Sequence, residues 1–291
     1  LCRLRMSDPK RAHEFRGARI VEQTTRGHRF LESAEGQDTL KSLNMSALSI
    51  ARSETKIEFE APFIGVAIAD SLVGELESRG LELQQALVLG FGSVGSATAF
   101  ALRSKYHDLR IDVLEVDRSK LEQAHKMGFG IHQSLPTADS GYVYDLIVGC
   151  TGHRTFKPSN RGLLADKALL ASGSSAAVEF DRRNFVDQAD AREDDDFRVL
   201  TSRQDPLSLH TDIKFEHDSK SHTFTIVNAG FPVNFQGTIA VIPTELIEPT
   251  HCLMYAATVE VMNTDRVGLT GLAQEWDRRI HDMARSVVDA G

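Results

Sequence analysis

The sequence has few cysteines, no excess of basic charge and no long apolar segment. Its 3 cysteines are far apart and form no C-x-x-C pair, which argues against a disulfide framework and a zinc knuckle. The 33 Lys and Arg residues are outnumbered by 41 Asp and Glu residues, and a net charge of −8 has the wrong sign for binding a phosphate backbone. No apolar run approaches the ~20 residues that a bilayer requires. We therefore expect no nucleic-acid partner and no membrane span.

The rest of the composition is typical of a globular protein from a reducing compartment. Hydrophobic residues make up 41% and charged residues 25% of 291 residues, a length that allows about two domains of roughly 150 residues. No signal peptide is visible, and the chain begins with Leu1 rather than with methionine, so an upstream segment could have been removed. We expect a cytoplasmic protein.

A glycine-rich turn lies between a predicted strand and a predicted helix. The apolar residues 86–89 predict the strand, the next six residues read G-F-G-S-V-G, and the alanine-rich residues 96–103 predict the helix. A second strand is predicted at residues 111–115, at the spacing of one βαβ unit. Residues 119–127 then predict a helix that ends at Gly128.

The same alternation continues along the chain. Strands are predicted at residues 145–148 and 168–171, with a short helical stretch around residues 163–167 between them. We therefore predict an α/β fold in which residues 85–180 form a Rossmann-type, doubly wound parallel sheet with helices on both faces.

Further elements are predicted on both sides of this sheet. A helix is predicted at residues 62–79, an acidic surface run at residues 193–196, and an antiparallel hairpin at residues 211–216 and 223–227. Residues 243–262 predict another helix.

A last helix is predicted from an apolar stripe with spacings of three and four. Its members are Leu269, Leu272, Trp276, Ile280, Met283 and Val287. Packing against the core of the same chain is the favoured interpretation, and a contact between subunits of a homo-oligomer is the second. We divide the chain into an N-terminal segment (1–84), a dinucleotide-binding domain (85–235) and a C-terminal helical segment (236–291).

The glycines of the turn have separate predicted roles in holding a diphosphate. Gly90 permits the turn, Gly92 lets a phosphate approach the backbone, and Gly95 lets the helix lie against the strand. The first N–H groups of the helix, at Ser93 and Val94, face the phosphate, and the helix dipole favours an anion there. The alternative is a glycine turn that only packs.

An acid follows at the end of the second predicted strand. Glu115, 20 residues beyond Gly95, can accept hydrogen bonds from the adenosine ribose, at roughly 1.5 to 3 kcal/mol each. The same carboxylate would repel the 2′-phosphate of NADP, so we predict NAD, although Arg118 and Lys120 could shield such a phosphate. Asp117 is the second candidate for the ribose.

These residues resemble the NAD-binding domain of the S-adenosyl-L-homocysteine hydrolase family. The match centres on residues 114–117 (L-E-V-D) after G-F-G-S-V-G. Residues 22–27 (E-Q-T-T-R-G) are similar to a family loop whose threonines meet the nicotinamide end. Residues 53–60 are similar to S-x-T-K-x-x-F-D, which supplies a lysine and an aspartate near the substrate's 3′-hydroxyl. Residues 150–153 correspond to a loop over the nicotinamide, and residues 227–230 (V-N-A-G) to V-N-L-G.

The resemblance completes a predicted cofactor site and implies a catalytic group. The predicted cofactor contacts are Thr24, Thr25, Gly90, Gly92, Ser93, Val94, Gly95, Glu115, Thr151, Gly152 and Asn228. Lys56, desolvated beside the nicotinamide, would be a base, and Glu60 would orient it. His153 is a further catalytic candidate, because imidazole titrates near neutrality and the residue follows the carboxyl end of a strand, where ligands bind in such sheets. Alternatively, Lys56 and Glu60 form an exposed ion pair, and His153 is only a loop residue.

The chain also departs from the family pattern. The family's long N-terminal substrate part has no counterpart before residue 22, and Gln23, Arg26 and Ala61 replace a glutamate, a threonine and an asparagine. A Gly-His pair is replaced by serines at residues 174–175. The histidines of the predicted hairpin have no recognised ligand spacing, so we predict no metal site.

Three functions are compatible with these residues. The first is an enzyme that retains NAD and transfers a hydride at a hydroxyl of a nucleoside-like small molecule, as the resemblance implies. The second is a module that binds or senses NAD without turnover, which the changes at Gln23, Ala61 and Ser175 favour. The third is an ordinary NAD-linked dehydrogenase.

Overall fold

The computed structural model describes residues 11, 13–174, 177–180, 182–190, 197–199, 210–217, 220–235 and 244–290. The chain forms two compact units. The first unit combines Leu1–Ala61 with Ile242–Gly291, and the second is Pro62–Val241. The two ends of the sequence therefore belong to the same unit.

The described elements are strands and helices in alternation. The strands are β1 (Arg19–Glu22), β2 (Ser46–Ser49), β3 (Gln85–Leu89), β4 (Arg110–Leu114), β5 (Gly130–His132), β6 (Tyr144–Gly149), β7 (Leu164–Ser172), β8 (Phe197–Val199), β9 (Thr211–His217), β10 (Lys220–Ile226) and β11 (Gly268–Gly271). The α-helices are α1 (Thr25–Glu32), α2 (Ala34–Ser42), α3 (Ala61–Arg79), α4 (Ser93–Lys105), α5 (Arg118–Lys126), α6 (Arg182–Asp190), α7 (Thr244–Met262) and α8 (Gln274–Ala290).

The second unit is built on one eight-stranded sheet. The strand order is β5-β4-β3-β6-β7-β10-β9-β8. Neighbours from β5 to β10 pair in parallel, whereas β9 pairs antiparallel with β10 and with β8. Counted along the chain, the six parallel strands stand in the order 3-2-1-4-5-6, which is the order of a Rossmann-type sheet. The predicted α/β class, the parallel sheet and the hairpin are confirmed.

Both faces of this sheet are buried, which explains the apolar run before the glycine turn. Successive residues of β3 enter different cores: Val88 packs with Ile68 of α3 and Leu102 of α4, whereas Leu87 shares a cluster with Phe185 of α6. Because successive strand side chains point to opposite faces, a strand covered on both sides needs continuous rather than alternating apolar residues.

The predicted helix ends are also confirmed. Helix α3 ends at Arg79 and α5 at Lys126, and the glycines that follow, Gly80 and Gly128, have φ of +61° and +82°. The left-handed region around these values favours glycine, so each glycine closes its helix.

The short helix predicted around residues 163–167 is wrong. The segment Pro158–Leu163 is a 3₁₀ helix, and β7 begins at Leu164. Strand β7 is irregular, because the register to β6 shifts after Tyr144 and Lys167 has a φ of +62°. Leu164 and Ala168 are both buried, and their spacing of four residues occurs on one face of a strand as well as of a helix.

The predicted C-terminal stripe is only partly correct. Leu269 lies on β11, and α8 begins at Gln274. Ile280 is buried, but Trp276 and Met283 are 43% and 59% exposed, so the stripe does not form one buried helix face. The side chain of Val287 and the acidic run at residues 193–196 lie outside the described residues.

The first unit contains a three-stranded parallel sheet in the order β1-β2-β11. All four residues of the central strand β2 are buried. Leu48 and Ile50 pack with Leu253, Ala257 and Val261 of α7. In the part of the chain that the structure describes, no helix has the length and hydropathy that crossing a membrane requires.

Candidate functional site

The glycine turn between β3 and α4 brings two backbone segments into close contact. A Cβ at Gly95 would lie 2.0 Å from the carbonyl oxygen of Gly90, so only glycine allows α4 to begin so near the strand. Gly90 has a φ of +92°, and its N–H donates to the carbonyl of Leu114 at 2.7 Å. A Cβ at Gly92 would have no heavy atom within 4 Å. The open side of this turn is therefore at Gly92, the N-cap of α4.

Glu115 connects this turn to the carboxyl end of β4. Its Oε2 accepts from the N–H of Phe91 at 2.8 Å, and its Oε1 accepts from the N–H groups of Val116 at 2.8 Å and Asp117 at 3.1 Å. The carboxylate thus lies beside the glycine turn, where the sequence predicts the ribose. Its role in ribose binding stays a prediction.

Asp117, the second candidate for the ribose, caps α5. Its Oδ1 accepts from the N–H and the hydroxyl of Ser119, both at 2.9 Å. These two hydrogen bonds hold the pKa of Asp117 below its usual value. The Asp117 side chain thus serves as the N-cap of α5, and its role as a ribose ligand stays a prediction.

The loop after β6 lies next to the glycine turn. Strands β3 and β6 are neighbours, and the N–H of Cys150 donates to the carbonyl of Leu89 at 2.8 Å. The strand order reverses between β3 and β6, and ligands of open α/β sheets bind in the crevice at the carboxyl ends of such a pair. The predicted contacts Thr151 and Gly152 therefore lie at the expected edge.

Glu179 is a buried acid at this edge to which the sequence analysis assigns no role. The Thr151 hydroxyl donates to its Oε2 at 2.8 Å, and the Gly152 N–H and the Ser174 hydroxyl donate to its Oε1. Glu179 is 0% exposed, and burial raises the pKa of its carboxyl group although the hydrogen bonds oppose that rise. A glutamate within an otherwise apolar V-E-F run was the available sequence signal.

The neighbouring thiol is not a nucleophile at neutral pH. Burial and, second, the nearby Glu179 raise the pKa of Cys150 to about 12, while a hydrogen bond with Thr98 opposes the shift. A thiol with such a pKa stays protonated, and the thiolate is the reactive form. His153 is exposed, and its backbone N–H donates to the Thr151 hydroxyl oxygen at 2.9 Å.

Asn228 shapes the turn that follows β10. It has a φ of +49° and is 6% exposed. Its side-chain amide donates to the carbonyls of Pro232 at 3.4 Å and Val233 at 3.3 Å. The structure thus gives this predicted cofactor contact a role in the backbone turn.

Lys56 and Glu60, the predicted catalytic pair, lie in the first unit. They begin and end a π-helical turn, Lys56–Glu60, and their side chains form an ion pair. The Thr250 hydroxyl donates to Glu60 Oε2, the oxygen that contacts Lys56, at 2.6 Å. The ion pair of the alternative interpretation is therefore confirmed, but its side chains are 16% and 13% exposed rather than fully exposed.

The threonine loop of the first unit follows β1. The Thr24 hydroxyl accepts from the N–H of Gly27 at 2.9 Å and donates to Glu22 Oε1 at 2.8 Å. Thr24 is the N-cap of α1, which begins at Thr25. The structure therefore uses the Thr24 hydroxyl as a helix cap.

A second group of titratable side chains in the first unit contains an ion pair. Ligand-type atoms of Glu54, Glu58 and His281 lie within 4.8 Å of one another. His281 Nε2 and Glu58 Oε2 are 2.6 Å apart. The hydrogen bond to Glu58 raises the pKa of His281, because the protonated imidazole donates to the carboxylate.

Comparison with known proteins gives relatives without an established function. No protein-family model matches the chain. Two uncharacterized proteins of Mycobacterium tuberculosis, from strains CDC 1551 / Oshkosh and H37Rv, are each 30% identical over 220 residues, or 75% of this chain. The matched region spans only 36% of the length of either relative. A dipicolinate synthase chain from Bacillus halodurans has a TM-score of 0.40 and 12% identity, over 57% of this chain and 54% of that chain, and this similarity is too low to bear on function.

Replacing Gly95 by alanine should destabilise the second unit. The new Cβ would meet the Gly90 carbonyl oxygen at 2.0 Å, and overpacking of this kind costs about 1 to 3 kcal/mol. Urea unfolding measures the loss. The matched control is Gly74→Ala on α3, where a Cβ meets nothing within 4 Å and the change should be neutral or stabilising. Equal stability of the wild type and Gly95→Ala would contradict the described contact.

The His281–Glu58 pair should make the stability of the first unit depend on pH. The pKa of His281 is raised from 6.5 in the folded state, so the pair's contribution is fully present below pH 6.5 and is lost as pH rises through the raised value. The stability difference between the wild type and Glu58→Gln should therefore shrink with increasing pH. Urea unfolding across that range tests this, with the exposed Glu248→Gln as control. A difference that grows with pH would refute the pairing.

Proposed function

We propose that the second unit binds a nicotinamide dinucleotide, and that the protein uses NAD for hydride transfer at a hydroxyl of a nucleoside-like small molecule. In this respect it would resemble S-adenosylhomocysteine hydrolase. The second unit has the Rossmann-type strand order, a common framework for dinucleotide binding. Because a fold alone does not define a function, the proposal depends on the residues at the strand ends.

The observation that carries the proposal is the contrast between two glycines of one turn. Gly95 is held against the Gly90 carbonyl, whereas a side chain at Gly92 would enter open space. The backbone is thus compact on the strand side and accessible at the N-terminus of α4, where a helix attracts a diphosphate. A turn that required glycine only for close packing would need it at position 95 but not at position 92.

Glu115 supports NAD rather than NADP. Its carboxylate lies beside the turn and is held by the N–H groups of Phe91, Val116 and Asp117. A fixed negative charge at this position accepts hydrogen bonds from a ribose diol and repels a 2′-phosphate.

The half-buried Lys56–Glu60 pair in the first unit supplies a candidate for proton transfer. A bound nicotinamide would accept a hydride from a carbinol carbon. In its neutral form the Lys56 amine would take the proton of the substrate hydroxyl, and Glu60, held by Thr250, would fix the position of the amine.

A second candidate function is an NAD-binding module without turnover. The replacements Gln23 and Ala61 at family positions support it, because they lie in the stretches that the resemblance places near the substrate.

Replacing Gly92 by alanine should weaken dinucleotide binding without loss of stability. Gly92 has φ −76° and ψ −171°, which alanine adopts readily, but the new methyl group would stand where the phosphate approaches. We expect the Kd for NAD in calorimetry to rise about tenfold or more. Gly74→Ala is the control, with unchanged affinity and urea midpoint. Wild-type protein that binds no nicotinamide dinucleotide, or Gly92→Ala that binds as tightly as the wild type, would refute the proposed site.

Replacing Lys56 by methionine should separate the enzyme from the binding module. Methionine keeps most of the side-chain volume but cannot carry a proton, so turnover should disappear while NAD affinity is retained. Product release from S-adenosylhomocysteine and absorbance of NADH with simple hydroxy acids measure turnover. The exposed Lys41→Met is the control. Unchanged turnover in Lys56→Met would remove Lys56 from the mechanism, and a wild type that holds NAD without any turnover would favour the module.

A further inference from the structure

Glu179 connects two loops at the carboxyl edge of the sheet. Its acceptor oxygens bind Thr151 and Gly152 in the loop after β6 and Ser174 in the segment after β7. The Gly152 N–H also points to the Ser174 hydroxyl at 3.2 Å. One carboxyl group therefore fixes both loops.

The surrounding structure makes room for this acid. A Cβ at Gly149, the last residue of β6, would lie 2.6 Å from Cβ and Cγ of Glu179. Glycine at this position thus lets the glutamate reach the strand end. A buried carboxyl group is costly unless it is hydrogen-bonded, and here three donors offset the cost of burial.

The backbone that carries Glu179 is anchored in the core. The next residue, Phe180, is 0% exposed and forms a parallel bridge with Phe156. The two rings also pack edge to face at 6.3 Å. Because its backbone is anchored in the core, the Glu179 side chain can hold a neighbouring loop in place. That loop consists of residues 150–153.

The position of this loop indicates which half of a dinucleotide it would meet. A Rossmann-type sheet consists of two mononucleotide-binding halves, and the dinucleotide lies across the crevice between them. The half that contains β4 and Glu115 would take the adenosine. The half that contains β6, β7 and Glu179 is left for the second nucleotide.

We propose that Glu179 is a positioning residue that sets the loop of residues 150–153 for the nicotinamide mononucleotide half of the dinucleotide. This inference rests on the proposed function. Glu179 acts through Thr151 and Gly152 rather than through contact with the ligand. Its loss should therefore affect ligands that contain the nicotinamide half and spare those that contain only the adenosine diphosphate half.

Three variants test this role. Glu179→Met keeps the length of the side chain but accepts no hydrogen bond from Gly152. Glu179→Gln keeps one carbonyl oxygen for the Gly152 N–H and the Ser174 hydroxyl, which both donate to Oε1, while the Thr151 hydroxyl can rotate to accept from its amide. The matched control is Glu122→Met, at an exposed glutamate of α5.

Calorimetry with NAD and with ADP gives the decisive comparison. In Glu179→Met the Kd for NAD should rise about tenfold, the Kd for ADP should stay within about twofold, and Glu179→Gln should recover most of the NAD affinity. Equal NAD affinity in the wild type and Glu179→Met would overturn the proposal. So would an equal loss for NAD and ADP, because that pattern reports general damage to the domain.

Hydrogen exchange at the Gly152 amide separates this proposal from the proposed function. Without ligand, this amide should exchange about tenfold faster in Glu179→Met than in the wild type. If the wild type binds no dinucleotide, the proposed function fails, and the exchange rate still shows whether Glu179 holds the loop. An unchanged rate would refute that role.

If Glu179→Met does not fold, a milder variant tests whether Glu179 positions the loop. Ser174→Ala removes one donor from a half-buried side chain and should raise the Kd for NAD about threefold without changing the Kd for ADP. An unchanged Kd for NAD in Ser174→Ala would overturn the proposal.

Discussion

The second unit depends on one close approach, that of Gly95 to the carbonyl oxygen of Gly90. This contact lets α4 begin directly after β3, so that the N-terminus of the helix opens at the carboxyl end of the sheet. Any side chain at Gly95 would separate the helix from the strand. The contact costs nothing in side-chain entropy, and it places the sterically open side of Gly92 where the helix dipole is strongest.

The two loops at this edge are held by the same physical means. Glu115 follows β4 and accepts from the N–H of Phe91 in the glycine turn, and Glu179 lies beyond β7 and accepts from the N–H of Gly152. In both cases a carboxyl group from a neighbouring segment fixes a backbone amide in a loop. Such bonds to charged or buried acceptors are stronger than ordinary hydrogen bonds, and they order each side of the crevice before a ligand binds.

Local sequence patterns correctly predicted those structural features that depend on residues close together in the sequence. The apolar run of β3, the glycine spacing and the glycine after α3 depend on neighbouring residues, and the structure confirms them. The helix predicted around residues 163–167 was wrong because buried residues four apart, such as Leu164 and Ala168, fit one face of a strand as well as of a helix. The bonds from Thr250 to Glu60, 190 residues apart, and from Thr151 to Glu179, 28 residues apart, depend on tertiary contacts that no local pattern encodes.

A crystal structure of the protein grown with NAD tests the account most directly. The account predicts a diphosphate against the first amides of α4 next to Gly92, the adenosine ribose at Glu115, and the nicotinamide on the side of the loop of residues 150–153. A structure that shows no nucleotide at saturating NAD, or a nucleotide at another place on the protein, would contradict it.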